Sequence, residues 1–333
     1  MEPAKDRIGR QFKFNRMRIG TKISAFARYA WFVLAYNLVV ILWGLFLRAS
    51  KSGDGCGQYW LTCNGELIPS APELKAIIEF SHRLTSGLAF IAVLVLLVWA
   101  FHKFEKGNPI RKTTVVSFLF IITEALVGAG LVLTGNTAEA LTAARPFWAM
   151  GHLTNTFILL AFLSLTAWFA RSERRFSSRV EPKIVMLLGL AVIALFLVGS
   201  SGSVAALSSM LFPSDTVSEG VAKDFADSSH GLLRLRLSHP ILSIMTSVYL
   251  IFLAGWLKRQ AAGEAGVAYW SNILSVLILV QIAFGALTLL TLGPIVMQLG
   301  HLFLADAIWI SFVLMSANVL AWNHEPADAV RIN

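Results

Sequence analysis

Long apolar blocks set the pattern of this chain. Eight runs of about 20 mostly apolar residues are separated by short polar segments. A run of that length crosses a hydrocarbon core of roughly 30 Å as an α-helix. The runs do not alternate with a period of two, which argues against the strands of a membrane barrel. The predicted spans are Tyr29–Leu47, Phe80–Phe101, Thr114–Thr134, Phe147–Ala170, Ile184–Ala206, His239–Leu257, Trp270–Leu292 and His301–Trp322. The expected fold is an all-α integral membrane protein of eight transmembrane helices.

Basic residues fall on alternate polar segments. The N-terminal segment carries Lys5, Arg7, Arg10, Lys13, Arg16, Arg18, Lys22 and Arg28. Lys103, Lys106, Arg111 and Lys112 follow span two, and Arg171, Arg174, Arg175, Arg179 and Lys183 follow span four. Lys258 and Arg259 follow span six. The positive-inside rule then places both termini in the cytoplasm. The first span lacks a small-residue cleavage site after it and reads as retained. It also starts early, which leaves little room for a mitochondrial presequence.

Composition agrees with a membrane protein. The 333 residues are 56% hydrophobic and 14% charged, against roughly 25% charged in soluble domains. The net charge of +9 is explained by topology. No basic stripe with interleaved aromatics is present to hold a nucleic acid.

The chain reads as a duplication. Glu124-Ala-Leu-Val-Gly128 in span three resembles Gln281-Ile-Ala-Phe-Gly285 in span seven, and Met150-Gly-His-Leu153 in span four resembles Leu299-Gly-His-Leu302 in span eight. An even number of spans separates the matching segments, so the repeats are parallel. Two pseudo-symmetric four-helix bundles are expected: residues 29–170 and 184–322, joined by a cytoplasmic linker at 171–183. A basic segment (1–28) and a tail (323–333), both cytoplasmic, flank them.

Four histidines carry the chemistry. His82, His152, His239 and His301 each open an even-numbered span, so all four lie near the external face, two per repeat. His102, His230 and His324 read as solvated residues. Two imidazoles facing each other across a bundle suit a six-coordinate haem, whose iron takes axial nitrogens from opposite sides. Zinc would want three or four converging ligands. The expected axial pairs on haem iron are His82 with His152 and His239 with His301. Arg83, Arg145, Arg234 and Arg236 lie at the right depth for propionates, with Arg suited to bidentate pairing.

The repeats differ one turn outward from each histidine, where Glu79, Ala149, Arg236 and Gln298 stand. Only Glu79 offers a carboxylate. It reads either as a proton-handling group or as a support that pairs with Arg83 or His82. Cys56 and Cys63 close a small ring in the first external segment, in a compartment that permits disulfides. They read as a staple or as a redox pair.

These motifs resemble a known family. Gly53-Asp-Gly-Cys-Gly-Gln-Tyr-Trp-Leu-Thr-Cys-Asn-Gly-Glu-Leu-Ile-Pro69 is similar to the first external loop of bacterial haem A synthases. Glu79-Phe-Ser-His-Arg83 resembles their Glu-x-x-His-Arg motif, and Arg236-Leu-Ser-His-Pro240 and Gly300-His-Leu302 resemble their later histidine motifs. The resemblance covers nearly the whole chain. Leu61-Thr62 departs from an expected Pro-Leu, and the third external loop, about Leu207–Ser238, lacks a second cysteine pair.

The resemblance implies an oxidoreductase of the bacterial inner membrane. It would oxidise a methyl group of haem O to a formyl group by successive hydroxylations, giving haem A for terminal oxidases. His82 and His152 would bracket the substrate, with Glu79 taking part in the chemistry. His239 and His301 would ligate a resident haem B, with Arg83 and Arg236 as further cofactor contacts. Cys56 and Cys63 match the family's external pair. A haem O synthase is the implied upstream partner, and a quinol or a ferredoxin-like protein the electron donor. With both imidazoles on the substrate iron, no position stays open for dioxygen. Either one histidine lets go, or electrons leave the ring and water supplies the oxygen. The alternatives are a b-type electron-transfer cytochrome, which would hold two permanent haems, and a haem exporter or chaperone.

Overall fold

The computed structural model of the chain describes residues 23–226 and 230–322. The basic segment through Lys22 and the tail from residue 323, with His324, lie outside the described residues. Those described are helical, with no strand among them. The helices are α1 (Ala25–Ala49), α2 (Leu74–Lys103), α3 (Pro109–Leu133), α4 (Arg145–Ser172), α5 (Pro182–Leu211), α6 (Val217–Phe225), α7 (Gly231–Arg236), α8 (Ser238–Gln260), α9 (Ala265–Leu290) and α10 (Ile295–Leu320). Eight stretches among them are long and apolar enough to cross a membrane, α7 and α8 counting as one.

Local chemistry sets the helix ends. Ser24 caps α1 by accepting from the Ala27 N–H at 3.2 Å. Asn108 does the same for Ile110, ahead of Pro109 at the first position of α3, where its missing N–H costs nothing. Pro182 opens α5 in the same way. Pro240 explains the break between α7 and α8. Its ring opposes the carbonyl of Arg236, four residues back, so the helix stops at Arg236 and restarts at Ser238.

α1 to α4 form a closed ring in chain order, α4 returning to α1. α5, α8, α9 and α10 continue in chain order through the second half. The halves meet where α4 packs on α5 and α10. α4 and α10 are accordingly the most buried spans, while the others turn apolar side chains such as Val39, Ile193 and Phe252 outward. That inside-out surface is what a bilayer solvates. An aromatic seam fills the junction. Phe157 stacks on Trp309 at 5.3 Å between centroids, Phe196 meets the same indole edge-on at 5.5 Å, and Trp309 donates to the Phe157 carbonyl at 2.6 Å.

Two expectations need correction. Three of the four histidines are not at helix starts, whereas His239 is the second residue of α8. α2, α4 and α10 begin several residues before the apolar blocks, so His82, His152 and His301 sit about two turns inside. Hydropathy marks the lipid-matched part of a helix, whereas backbone hydrogen bonding continues into the headgroup layer. The third external segment is not a plain loop either. It holds α6 and α7, with α6 capped by Thr216, which accepts from the Glu219 N–H at 3.1 Å.

The first external loop folds back onto α2. Cys56 and Cys63 form a disulfide, buried against Ala76 and Phe80. Gly55 makes the approach possible, since a Cβ there would overlap the backbone of Lys75 and Ala76. Backbone cannot swing aside as a side chain can. Gly55→Ala is therefore expected to cost about 1–3 kcal/mol, typical of overpacking, read as a lowered thermal midpoint of the detergent-solubilised protein. An unchanged midpoint would mean the loop can ride clear of α2.

Candidate functional site

The helix order fixes the site. In a ring of four, α2 and α4 stand on opposite corners, and α8 and α10 occupy the matching places in the second half. Side chains near the external ends of these helices can point at each other across the bundle. His239 and His301 do so, their ring centroids 6.3 Å apart and their planes at 80°. A metal–imidazole bond of about 2 Å on each side, plus a ring radius of roughly 1 Å on each side, gives about 6 Å between centroids. The spacing therefore fits one metal held between two imidazoles. His82 and His152 sit at the matching depth on α2 and α4.

Glycines make room for the rings. A Cβ on Gly44 of α1 would lie 2.9 Å from the His82 ring, and one on Gly202 of α5 would lie 2.9 Å from the His239 ring. Gly285 of α9 stands in the same relation to His301, at 3.1 Å. Gly44 and Gly202 occupy corresponding places on the first helix of each half. Replacing either by valine should push its histidine out of line. Gly202→Val is expected to remove ligand from the second half alone and Gly44→Val from the first alone, read as haem bound per protein. Equal losses at both sites in either variant would mean that the glycines serve packing in general.

Several ring nitrogens are left without protein partners among the described residues. The Nδ1 atoms of His82, His152 and His301 are buried and have no hydrogen-bond partner among the described residues. His239 Nδ1 lies 3.2 Å from the Ser201 hydroxyl. Gln281 donates to the His301 carbonyl at 3.1 Å and reaches its ring at 3.4 Å. The ring spacing in the second half and the glycine clearance in both leave room for a ligand held between imidazoles.

Glu79 is 2% exposed. One oxygen accepts the Cys56 N–H at 2.9 Å and the other pairs with Arg83. Arg83 also donates to the Thr62 carbonyl at 2.8 Å. Glu79 thus ties the disulfide loop to α2 one turn outward from His82, through Arg83 rather than through the imidazole.

The other arginines sort differently. Arg145 donates to the carbonyls of Ala138 and Ala140, holding the α3–α4 loop. Arg236 pairs with Asp224 at 2.6 Å and donates to the Gly220 carbonyl at 2.9 Å, fastening α6 over the second half. Arg234 lies on α7. The Lys51 ammonium of the α1–α2 loop lies 2.5 Å from Glu139 of the α3–α4 loop and holds that carboxyl below its ordinary range.

An apolar groove of about 530 Å³ runs between α1 and α2. Tyr36, Val40, Trp43 and Phe46 of α1 form one wall, Ser81 and Thr85 of α2 the other, and Leu299 of α10 reaches it. Trp43 donates to Ser81 at 3.1 Å and Tyr36 to the Thr85 carbonyl at 3.1 Å, which keeps the walls in register.

Motif and spacing pass over two acids of the site region. Glu124 of α3 lies 3.6 Å from His152 Nδ1. Asp306 of α10 is fully buried, and neither oxygen has a partner among the described residues. The signal that finds them is their place alone, because an ionisable residue inside a span is a functional candidate by default.

Known proteins place the chain. Residues 27–313 match the COX15-CtaA family, described as cytochrome oxidase assembly protein. A Thermus thermophilus protein named protoheme IX farnesyltransferase is 41% identical over 297 residues, which are 89% of this chain and 49% of that protein. The chain thus spans about half the length of this curated relative. Bacillus cereus and Bacillus anthracis proteins named heme A synthase are 27% identical over 274 residues, 79% of this chain and 83% of theirs. The match runs from α1 into α10 and takes in both histidine pairs, and the chain is a member of the COX15-CtaA family of cytochrome oxidase assembly proteins.

Proposed function

We propose that the chain is a haem A synthase, oxidising a methyl group of haem O to the formyl group of haem A by successive hydroxylations. The observation that carries this is the pair of opposed imidazoles in the second half, with its counterpart on α2 and α4 of the first half joined by an acid one turn outward from His82, where the second repeat has none. A purely electron-transferring cytochrome would have no use for that difference. The name heme A synthase borne by the Bacillus relatives, which the chain matches over most of their length, supports the reading.

In this reading His82 and His152 hold the substrate iron. The apolar groove between α1 and α2 takes an apolar substituent of the ring, which makes the ring's edges inequivalent and selects the methyl that reacts. Glu79 stands one turn outward, buried, where a carboxylate can hold a proton released by the oxidation. Arg83 can share its guanidinium between Glu79 and a propionate. The disulfide loop covers this end and limits water. His239 and His301 would hold a resident haem B, which supplies one-electron transfer when bound.

The farnesyltransferase name of the Thermus relative is read as a property of the part that this chain does not span. Farnesylation of protohaem yields haem O, so a relative joining both steps would be coherent. A separate haem O synthase would then be a partner of the present chain, and a quinol or ferredoxin-like protein its electron donor. Alternating basic segments favour an orientation with both termini in the cytoplasm, and the bacterial relatives favour the inner membrane.

The test is to co-express the chain with a haem O synthase, purify it in detergent, and identify the extracted haems by chromatography and mass spectrometry. Haem B together with haem O, haem A or a hydroxylated intermediate is the expected result. Haem B alone, with haem O supplied, would assign the chain to electron transfer.

A further inference from the structure

We propose that Glu124 is the positioning residue of His152, and that its replacement by Gln281 in the second half makes the two haem sites electronically unequal. The inference rests on the haem reading above and adds a residue to it.

Glu124 comes from the middle of α3, with Oε1 3.6 Å from His152 Nδ1. A small turn of the imidazole closes that gap to a hydrogen bond. Bonding there would fix Nδ1 as the protonated nitrogen and leave Nε2 for the iron. The carboxylate is itself held. Thr156 donates to Oε1 at 2.6 Å, and Asn155 donates to Oε2. Asn155 is in turn fixed by the Phe120 carbonyl at 2.9 Å and by the Thr123 hydroxyl at 2.5 Å. So much polar structure inside a span is costly unless it serves a purpose.

The second repeat supplies the comparison. Gln281 stands where Glu124 stands, four residues before the matching glycine, but its amide nitrogen meets the His301 carbonyl at 3.1 Å and Nε2 at 3.4 Å, and His301 Nδ1 has no acceptor among the described residues. The cradle is missing there. Counting from the aligned histidines, Asn155 and Thr156 correspond to Leu304 and Ala305. A neutral amide needs no such support, whereas a carboxylate in an apolar span does. Acid and cradle therefore occur together in the first half and are absent together in the second.

The consequence is chemical. A carboxylate accepting Nδ1–H makes the imidazole a stronger donor to iron than an imidazole whose Nδ1 has no such acceptor among the described residues, as at His301. The first site is thereby biased towards the oxidised metal relative to the second.

The experiment compares wild type, Glu124→Gln, Glu124→Asp and Gln281→Glu, each co-expressed with a haem O supply. Haem content and optically followed redox titrations are read for both sites. Glu124→Gln should raise the midpoint potential of the first-half haem and lower its occupancy about 10-fold or more, the range for losing a support of a metal-bound histidine. The second-half haem should be unchanged. Glu124→Asp should recover part of both effects, and Gln281→Glu should lower the second-half midpoint. Unchanged midpoint and occupancy in Glu124→Gln would overturn the inference and leave the haem reading standing. Should Glu124→Gln fail to accumulate, an unmoved second-half midpoint in Gln281→Glu would overturn it equally. A wild type without haem in the first half would overturn both.

Discussion

Alanine at His239 or His301 is expected to empty the second-half site, lowering its haem occupancy by more than about 100-fold, while alanine at His82 or His152 leaves that haem bound and abolishes the formyl product. The bound follows from supporting residues. Loss of a group that merely orients a metal-bound histidine already costs about 10- to 100-fold, so loss of the ligand costs more. The split follows from the fold. His239 and His301 face each other at 6.3 Å within one half, and the pair on α2 and α4 belongs to the other. The readout is low-spin haem absorbance per protein, with product identified by mass spectrometry. Disappearance of the resident haem in His82→Ala would reverse the assignment of halves. Survival of full product in that variant would remove His82 from the reaction.

Much of this arrangement is legible in the amino-acid sequence. Eight apolar blocks give eight spans, because a bilayer tolerates no other continuous apolar run of that length among polar segments. The repeat at Gly-His-Leu, in α4 and α10, points to paired sites because duplication preserves position within the fold. The depth of the histidines is not legible, because hydropathy does not register a helix that continues past the lipid. In the sequence Glu124 is only the edge of a glycine motif. Its meaning depends on which face of α3 meets α4, and helix rotation is not written in a uniformly apolar stretch. Asp306 is hidden for the same reason. The roles of Arg83 and Arg236 separate only in three dimensions, one turning to Glu79 and the other to Asp224. Charge and depth alone make them equivalent.

Glu79→Gln is expected to keep both haems and to lower turnover by about 10²–10⁴, the range for a positioned acid or base. It is also expected to cost stability, because it breaks a buried pair and leaves Arg83 facing an amide. Breaking such a pair costs about 3–5 kcal/mol, with the lower end apt here since Arg83 keeps the Thr62 carbonyl and some exposure. Arg83→Gln separates the two contributions. It removes the same ion pair and should lower the thermal midpoint by a similar amount, yet it leaves the carboxylate in place. If Glu79 handles protons, Arg83→Gln retains kcat and raises KM for the substrate haem, whereas Glu79→Gln lowers kcat at unchanged KM. Equal losses of kcat in both variants would reduce Glu79 to its visible contacts. Its work would then be to hold Cys56 and the disulfide loop over the first-half site, and the proton would have to be taken up elsewhere. Glu124 is the other acid beside that histidine pair, and its Gln variant would then be the one expected to lose turnover.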